Sequence, residues 1–369
     1  MRILIAPDKF KDSLGAAEVA EHIAVGLRVV LPDAEITLLP IADGGEGTAN
    51  VICAASGGAW HECDVHDPLS RLVRARYCTI ANGSTAVMEV SEASGLWRVL
   101  AEKRDPIKAS SFGTGEMLRD ATTRGANQII IGLGGSATND GGFGMALALG
   151  FRFIDTNSVE LAGPVSDLLR LTHVEAPKAL RLPRITAAAD VRNPLLGERG
   201  ATRTYGPQKG ASAEQLDLLE EALTRLADVV AHDFGVDYRD RPAAGAAGGL
   251  GFGLMSFCSA QVRSGFDLVA ECIGLEAAVR DADVVITGEG RLDAQTLEGK
   301  APTGVARLAR KHGKRCFAIV GEAEESTVFR DLFDGVFVLA RSPLTIAEAI
   351  KDSRRLLQGR ARELAEELL

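Results

Sequence analysis

The chain has 369 residues, of which 46% are hydrophobic and 25% are charged, and this balance argues against a disordered or fibrous protein. The length exceeds what one hydrophobic core usually serves, so we expect two domains. The formal net charge is −9 and no block of like charge occurs, so the chain lacks the cationic surface that a nucleic acid partner requires.

The N-terminal segment and the cysteines indicate the cellular compartment. Met1–Asp8 lacks the apolar core and the small-residue cleavage site of a signal peptide, and no run reaches the roughly 18 apolar residues of a membrane span. The six cysteines are widely spaced and none forms a C-x-x-C pair, so we expect reduced thiols. These features predict a cytoplasmic protein without a membrane partner.

The first 58 residues alternate strands and helices. Residues 2–6 predict a strand, and residues 16–30 carry apolar side chains at helical spacing, with Ser13 as a candidate N-cap. Residues 35–40 predict a second strand and residues 48–55 a second helix. This rhythm is typical of a parallel sheet.

A different pattern begins near residue 59, with short strands and a hairpin signal at Asn82–Gly83. Its predicted elements are strands at 60–64, 72–80 and 84–90, a helix at 115–124, a strand at 128–133, a helix at 143–149 and a strand at 184–189. After residue 264 the first rhythm returns, with strands at 283–287, 315–320 and 335–340 and helices at 303–311 and 344–369.

We therefore predict an α/β fold. A Rossmann-like, doubly wound parallel-sheet domain would comprise residues 1–58 and 265–369, and a second α/β domain, residues 59–264, would be inserted into it. Substrates commonly bind between two such domains, so we expect the active site in the cleft between them.

Four polar, glycine-flanked loops each follow an apolar strand, which is where open α/β sheets bind ligands. They are the Pro7 loop (residues 7–13), the Gly44 loop (residues 42–48), the Gly134 loop (residues 132–142) and the Gly288 loop (residues 287–293). Each also has a purely structural interpretation, as a capped turn, a glycine turn, a strand-to-helix turn or an arginine–carboxylate ion pair.

The first two loops combine charge with close backbone approach. Lysines in the Pro7 loop can reach an anion beside a helix N-terminus, and the glycines of the Gly44 loop admit a ligand to the backbone. Thr48 is a candidate cap for the helix that follows. The candidate binding residues of these loops are Asp8, Lys11, Ser13, Asp43, Gly44, Gly45, Glu46 and Thr48.

The Gly134 loop is the richest in donors. Consecutive glycines can present N–H groups to an anion, the next helix adds its N-terminus, and Asp140 offers a hard oxygen to Mg²⁺. It is not a P-loop, because no lysine follows, and it is not G-x-G-x-x-G, because Ala137 takes the third glycine position. Its candidate phosphate-binding residues are Gly134, Gly135, Ser136, Thr138 and Asn139.

Further candidates lie later in the chain. The Gly288 loop combines a carboxylate pair with an arginine and is followed by Gly299–Lys300. Asp190 ends an apolar strand and could accept a substrate hydroxyl proton or cap a helix. Lys209 lies in a loop that fits an anion contact or only a turn. The candidates of the Gly288 loop are Glu289, Arg291 and Asp293.

Seven segments, in order over nearly the whole chain, resemble the bacterial glycerate kinase family. They are residues 5–14, 42–48, 134–142, 190–195, 206–211, 245–251 and 285–293. The resemblance implies ATP-dependent phosphorylation of D-glycerate with Mg²⁺, in glycerate or glucarate catabolism, on a two-domain fold with a Rossmann-like part. It points to the glycerate 2-kinase type, which forms 2-phosphoglycerate, and leaves a 3-kinase open. Lys9 and Phe112 depart from the residues common in the family, which leaves the substrate preference open.

We expect in-line transfer of the ATP γ-phosphoryl group, which depends on positioning and charge neutralisation. Asp190 is the candidate base, Lys11, Lys209 and Arg291 would offset phosphate or carboxylate charge, and Asp43, Asp140 and Glu289 are the candidate Mg²⁺ ligands. The expected partners are D-glycerate and ATP, and a homodimer stays open. An NAD-type dehydrogenase of a small hydroxy-acid and a non-catalytic binding protein are the alternatives.

Overall fold

The computed structural model describes residues 1–293, 300–324, 327–340 and 344–369. The strands are β1 Arg2–Ile5, β2 Glu35–Leu38, β3 Ala59–His66, β4 Leu72–Ile80, β5 Thr85–Glu89, β6 Gln128–Gly132, β7 Arg152–Asp155, β8 Leu171–Glu175, β9 Arg184–Ala188, β10 Gln261–Arg263, β11 Val284–Thr287, β12 Arg291–Leu292, β13 Arg315–Val320, β14 Glu322–Ala323 and β15 Gly335–Val338. The α-helices are α1 Ala16–Val30, α2 Thr48–Ser56, α3 Val90–Ser94, α4 Phe112–Thr123, α5 Phe143–Ala148, α6 Ala201–Tyr205, α7 Ala213–Phe234, α8 Ala246–Cys258, α9 Gly265–Ile273, α10 Leu275–Asp281, α11 Ala301–Lys311, α12 Thr327–Leu332, α13 Ile346–Lys351 and α14 Ser353–Leu368.

The chain forms two compact units. The first comprises Met1–Asp43, Asn50–Ser56 and Gly265–Leu369, and the second comprises Gly44–Ala49 and Gly57–Ser264. Residues 44–49 thus group with the second unit, although they lie within the stretch 1–58 that we placed in the first domain.

The first unit is built on a parallel sheet in the order β15-β13-β11-β1-β2. Its core contains the apolar faces of α1 and α14 together with strand residues such as Ile5, Ile286 and Phe317. The two helices approach closely at Gly26, where a Cβ would lie 2.3 Å from the carbonyl oxygen of Gln358. The predicted Rossmann-like α/β class is confirmed.

The second unit contains a mixed sheet in the order β10-β9-β6-β5-β4-β3. β3, β4 and β5 pair antiparallel, whereas β5, β6, β9 and β10 pair parallel. The hairpin predicted at Asn82–Gly83 joins β4 to β5, with Ile80 opposite Thr85. The β7–β8 hairpin was not predicted, because its segments carry neither a clear alternation nor a two-residue glycine turn.

Two sequence predictions concern the compartment. Among the described residues, none of the helices combines the length and the apolar character that crossing a bilayer requires. The free thiols are, as predicted, Cys63, Cys258, Cys272 and Cys316. The prediction of reduced thiols is wrong for Cys53 and Cys78, because both are disulfide-bonded.

Candidate active site

The strand order of the first unit places two candidate loops side by side. From β1 the chain moves to β2 on one side, and it later returns to β11 on the other side of β1. The order therefore reverses between β1 and β11, and ligands of open α/β sheets bind at the carboxyl ends of strands at such a point. The Pro7 loop follows β1 there, and the Gly288 loop follows β11.

Glycines let these two loops lie in backbone contact. The Asp8 N–H donates to the carbonyl oxygen of Gly288 at 2.8 Å. A Cβ at Gly290 would come within 3.2 Å of the Lys11 nitrogen, and a Cβ at Gly288 within 2.1 Å of the Ile319 oxygen. A side chain at Gly290 would crowd the backbone of the Pro7 loop and one at Gly288 would clash with β13, so the glycines of the Gly288 loop fit these close approaches.

Asp8 is an acid of the first unit whose pKa is strongly raised. Its side chain is buried, and its Oδ1 accepts the Lys9 N–H at 2.6 Å. Burial, and secondarily the charge of Asp43, raise the pKa of Asp8 to about 7, although Lys9 and Lys300 act in the opposite direction. Two carboxylates beside each other are a chemically suitable pair for a divalent cation.

The Gly288 loop carries its charges in pairs. Arg291 donates to Glu324 at 2.9 Å, and its Nε lies 3.7 Å from a carboxylate oxygen of Asp293. Lys300 lies 3.9 Å from the other oxygen of Asp293, and Glu289 is buried. The ion-pair interpretation of Arg291 is therefore realised, and its catalytic role stays a prediction. Gly299 lies outside the described residues.

Ser13 does not have the capping role that we predicted. Helix α1 begins at Ala16, with Gly15 at the N-cap, and the Gly15 N–H donates to Glu18 at 3.2 Å. The Ser13 hydroxyl instead donates to the Ser353 hydroxyl of α14 at 2.8 Å. Its place as a ligand contact is not supported, because the hydroxyl is used to join two elements of the unit.

In the second unit, the Gly134 loop lies against residues 44–46. A Cβ at Gly134 would come within 2.5 Å of the Gly45 Cα, and one at Gly135 within 2.6 Å of a Glu46 carboxylate oxygen. Gly135 also has a φ of +74°, which favours glycine. Two of the four predicted loops are thus brought together by glycines that leave no room for side chains.

The Asp140 carboxylate anchors the Gly134 loop. It accepts hydrogen bonds from the N–H and the hydroxyl of Ser111 at 2.8 and 2.9 Å and from the N–H groups of Gly142 and Gly144, both at 3.1 Å. Burial raises the pKa of Asp140, and these donors oppose the shift. Three of the donors bind Oδ2 and one binds Oδ1, and the role of Asp140 as a Mg²⁺ ligand stays a prediction.

Lys209 supports the same loop from within. It is 3% exposed, and its Nζ donates to the Ser136 hydroxyl at 3.0 Å and to the Thr138 carbonyl oxygen at 2.7 Å. Burial lowers the pKa of Lys209 to about 7, against the opposing charge of Asp140. These contacts make Lys209 a support of the Gly134 loop, and its predicted contact with an anion stays a prediction.

Helix α8 provides a second support. Its residues 247–249 have left-handed backbone angles, and Gly248 accepts a hydrogen bond from the Gly141 N–H at 3.1 Å. A Cβ at Gly248 would lie 1.9 Å from the Thr138 oxygen. The glycine- and alanine-rich segment after residue 243 is therefore shaped to fit the Gly134 loop.

Within the described part of the chain, several buried polar atoms around these loops have no hydrogen-bond partner. They are Thr48 Oγ1, Thr138 Oγ1 and Asn139 Oδ1. The Asn139 amide does donate, to Thr202 at 2.9 Å. Buried polar groups are nearly always satisfied, so these atoms fit a site that a polar ligand completes. Thr48 is the first residue of α2 rather than its cap, which corrects that prediction.

Asp190 follows β9 at the carboxyl end of the second unit's sheet. Its Oδ1 accepts the Ser264 hydroxyl at 3.0 Å, and Ser264 follows the neighbouring strand β10. The helix-cap alternative is wrong, because the next helix, α6, begins only at Ala201. The hydroxyl holds the carboxylate at the end of the sheet, in a position compatible with proton transfer.

Sequence reasoning missed Glu89, which ends β5. Its Oε1 accepts the N–H groups of Gly47 and Ala49 at 3.0 and 2.8 Å, and it is buried. It stands alone in an apolar strand, without a glycine-rich context, so no motif marked it. The available signal is a carboxylate at the last position of a strand that is otherwise buried.

No group of three or more potential metal-binding side chains is found within the described ranges. Mg²⁺ usually takes one or two carboxylates and completes its shell with water and substrate phosphates, so a smaller set can serve. Asp43 beside Asp8, together with Glu289, has this chemistry.

Comparison with known proteins shows the family of the chain. The model of the glycerate kinase family matches residues 3–369. The chain belongs to the glycerate kinase family. A glycerate kinase of Bacillus subtilis (strain 168) is 41% identical over 370 residues, which cover 99% of this chain and 97% of that protein. The glycerate 2-kinase of Escherichia coli (strain K12) is 43% identical over 356 residues, 95% of this chain and 93% of that protein.

A solved structure agrees. The crystal structure of a candidate glycerate kinase 2 from Salmonella typhimurium LT2 superimposes with a TM-score of 0.87 at 42% identity, and covers 100% of this chain and 98% of that one. Glycerate kinases are phosphotransferases, so the chain is an enzyme of this class. Family membership also decides against the dehydrogenase and the non-catalytic binding protein that the sequence left open.

Proposed function

We propose that the protein transfers the γ-phosphoryl group of ATP to D-glycerate and forms 2-phosphoglycerate, in the cytoplasm, as a step of glycerate or glucarate catabolism. The observation that carries the proposal is the 43% identity, over nearly the full length of both chains, to an enzyme named glycerate 2-kinase.

The proposed chemistry rests on positioning. Asp190 accepts the proton of the attacking hydroxyl, and its bond to Ser264 fits this role because it orients the carboxylate. Lys11 and Arg291 offset the charge of phosphate or carboxylate groups. Backbone and hydroxyl donors of Gly134, Gly135, Ser136 and Thr138 hold phosphate oxygens, and the unpartnered Thr138 Oγ1 supports this assignment.

Asp43 and Glu289 would hold Mg²⁺, with Asp8 beside them. When bound, the ion would supply positive charge that offsets the negative charge developing on the ATP phosphates. The supporting observation is that the charge of Asp43 raises the pKa of the buried Asp8, a repulsion that a divalent cation would relieve.

The decisive experiment couples ADP release to a spectrophotometric readout with D-glycerate, ATP and Mg²⁺. We expect turnover that requires all three components and shows stereoselectivity against L-glycerate. The absence of ADP release would contradict the kinase proposal, and a change in nicotinamide absorbance with glycerate would favour a dehydrogenase. ³¹P and ¹³C NMR of the product mixture distinguishes the 2-phosphate from the 3-phosphate.

A further inference from the structure

We propose that Glu89 is a positioning residue that joins the Gly44 loop to the Gly134 loop and thereby sets the geometry of the phosphoryl-transfer site. The effect on catalysis rests on the proposed kinase function, whereas the effect on the two loops does not.

The position of Glu89 is fixed by sheet register. β5 and β6 pair parallel, and Glu89 lies opposite Gly132, the last residue of β6 and the first of the Gly134 loop. Glu89 therefore stands directly beside the point where that loop leaves the sheet. A register shift of one residue would turn its side chain to the other face of the sheet.

From this position the carboxylate reaches the other loop. Its Oε1 accepts the N–H groups of Gly47 and Ala49, which flank the first residue of α2. Its second oxygen accepts the Ser91 hydroxyl at 3.3 Å. The first N–H groups of a helix have no partner within the helix and attract an anion, and here the protein supplies that anion itself. The carboxylate of Glu89 thus engages the α2 N-terminus from within the protein.

The segment after Glu89 continues the connection. The Leu96 N–H donates to the Gly135 oxygen at 2.8 Å, and the Ala137 N–H donates to the Ser94 oxygen at 2.8 Å. Because Gly134 and Gly135 lie against Gly45 and Glu46, the loops, the strand end and residues 89–96 form one continuous set of contacts. Glu89 is the charged member of this set that touches the 44–49 backbone.

Hydrogen exchange tests the loop geometry without substrate. In Glu89→Ala we expect amide exchange to accelerate at least about 10-fold in peptides covering residues 44–56 and also in those covering 132–142, because a hydrogen bond to a charged group is lost. Glu89→Gln keeps an acceptor oxygen and should show a smaller effect. Unchanged exchange in residues 132–142 of Glu89→Ala would overturn the connection between the loops.

Steady-state kinetics tests the consequence for catalysis. We expect kcat/KM to fall about 100-fold in Glu89→Ala and about 10-fold or less in Glu89→Gln, with changes in kcat as well as KM. Glu89→Asp keeps the charge but is one methylene shorter, so its carboxylate falls short of the two N–H groups. We therefore expect the loss of kcat/KM in Glu89→Asp to exceed that in Glu89→Gln and to approach that in Glu89→Ala. Glu62→Gln is the control, because Glu62 is an exposed carboxylate of β3 that pairs with Arg74 at 3.1 Å outside this set of contacts, and its kinetics should match the parent.

A purely structural role predicts a different result. Variants that lower the unfolding temperature while kcat and KM, measured well below that temperature, stay at the parental values would overturn the proposal. If Glu89→Ala does not fold, the glutamine and aspartate variants decide. If the parent shows no kinase activity, the proposed function fails, and the exchange experiment still tests the role of Glu89 in the loops.

Discussion

A carboxylate that acts as a base must be unprotonated and held in place, and the contact of Asp190 with Ser264 provides the second condition. We expect Asp190→Asn to lower kcat at least about 100-fold, because the amide cannot take up the hydroxyl proton. Initial rates at saturating substrate measure this effect. Asp217→Asn, at an exposed carboxylate paired with Arg203, is the control and should retain parental rates. Near-normal turnover of Asp190→Asn would remove Asp190 from the mechanism.

The buried Lys209 makes stability depend on pH. Its pKa of about 7 lies below the value of an unfolded lysine, near 10.4, so between these values the unfolded state binds more protons than the folded state. The free energy of unfolding should therefore rise with pH over this window, by up to about 1.4 kcal/mol per pH unit from this group.

Denaturant unfolding of the parent and of Lys209→Met at several pH values between 7 and 10 checks the predicted rise of the free energy of unfolding with pH. The rise should be smaller in the variant, because it lacks the contribution of Lys209. Lys108→Met, at an exposed lysine, should keep it. A parental slope in Lys209→Met would show that Lys209 is not a buried neutral lysine at high pH.

Asp140, Lys209 and Ser13 show where residue-scale prediction stops. The sequence correctly placed the first two in or near a donor-rich loop, but a polar side chain there can face a ligand or satisfy its own backbone. Asp140 and Lys209 form hydrogen bonds within the protein. Their partners include residues that lie 29 and about 70 positions away in the chain. Only tertiary structure brings such partners together, so their roles could not be predicted from spacing.

At the scale of elements, Gly248 offers a direct test of how α8 supports the Gly134 loop. Gly248→Ala introduces a Cβ 1.9 Å from the Thr138 oxygen at a φ of +69°. We expect a loss of about 2–4 kcal/mol in the free energy of unfolding, from overpacking and backbone strain together. Chemical denaturation measures it.

Gly235→Ala is the matched control for this substitution. Gly235 has a similar φ, +66°, but no heavy atom of the described residues lies within 4 Å of the place where its Cβ would stand. Strain alone should cost about 1–2 kcal/mol there. Equal losses at the two glycines would mean that the contact with the Gly134 loop contributes nothing.

Elements with one dominant periodicity were predicted well. Helix α1 and strands β4 and β13 begin and end where their patterns indicated, because each carries an uninterrupted apolar face or run. The predicted helix at 344–369 is instead divided into α13 and α14 at Asp352. The left-handed turn at 247–249 also escaped prediction, since glycine permits that conformation but does not require it.

For the whole molecule, ligand binding should appear as stabilisation. At 100 times its dissociation constant a ligand adds about 2.7 kcal/mol to the free energy of unfolding. We expect this with D-glycerate and with ATP plus Mg²⁺, measured by thermal unfolding. A chelator of divalent cations should abolish turnover and most of the ATP effect, and excess Mg²⁺ should restore both. Full activity in the chelator would contradict the metal assignment.

The division of the chain also bears on synthesis at the ribosome. The second unit draws nearly all its residues from the continuous stretch Gly57–Ser264, whereas β1 of the first unit needs β11, some 280 residues later, as its second neighbour. During translation the second unit can therefore complete its sheet before β11 and α14, the later partners of β1 and α1, have been synthesised. Nascent chains stalled shortly after residue 300 should resist protease in residues 57–264 and remain cleavable near the N-terminus.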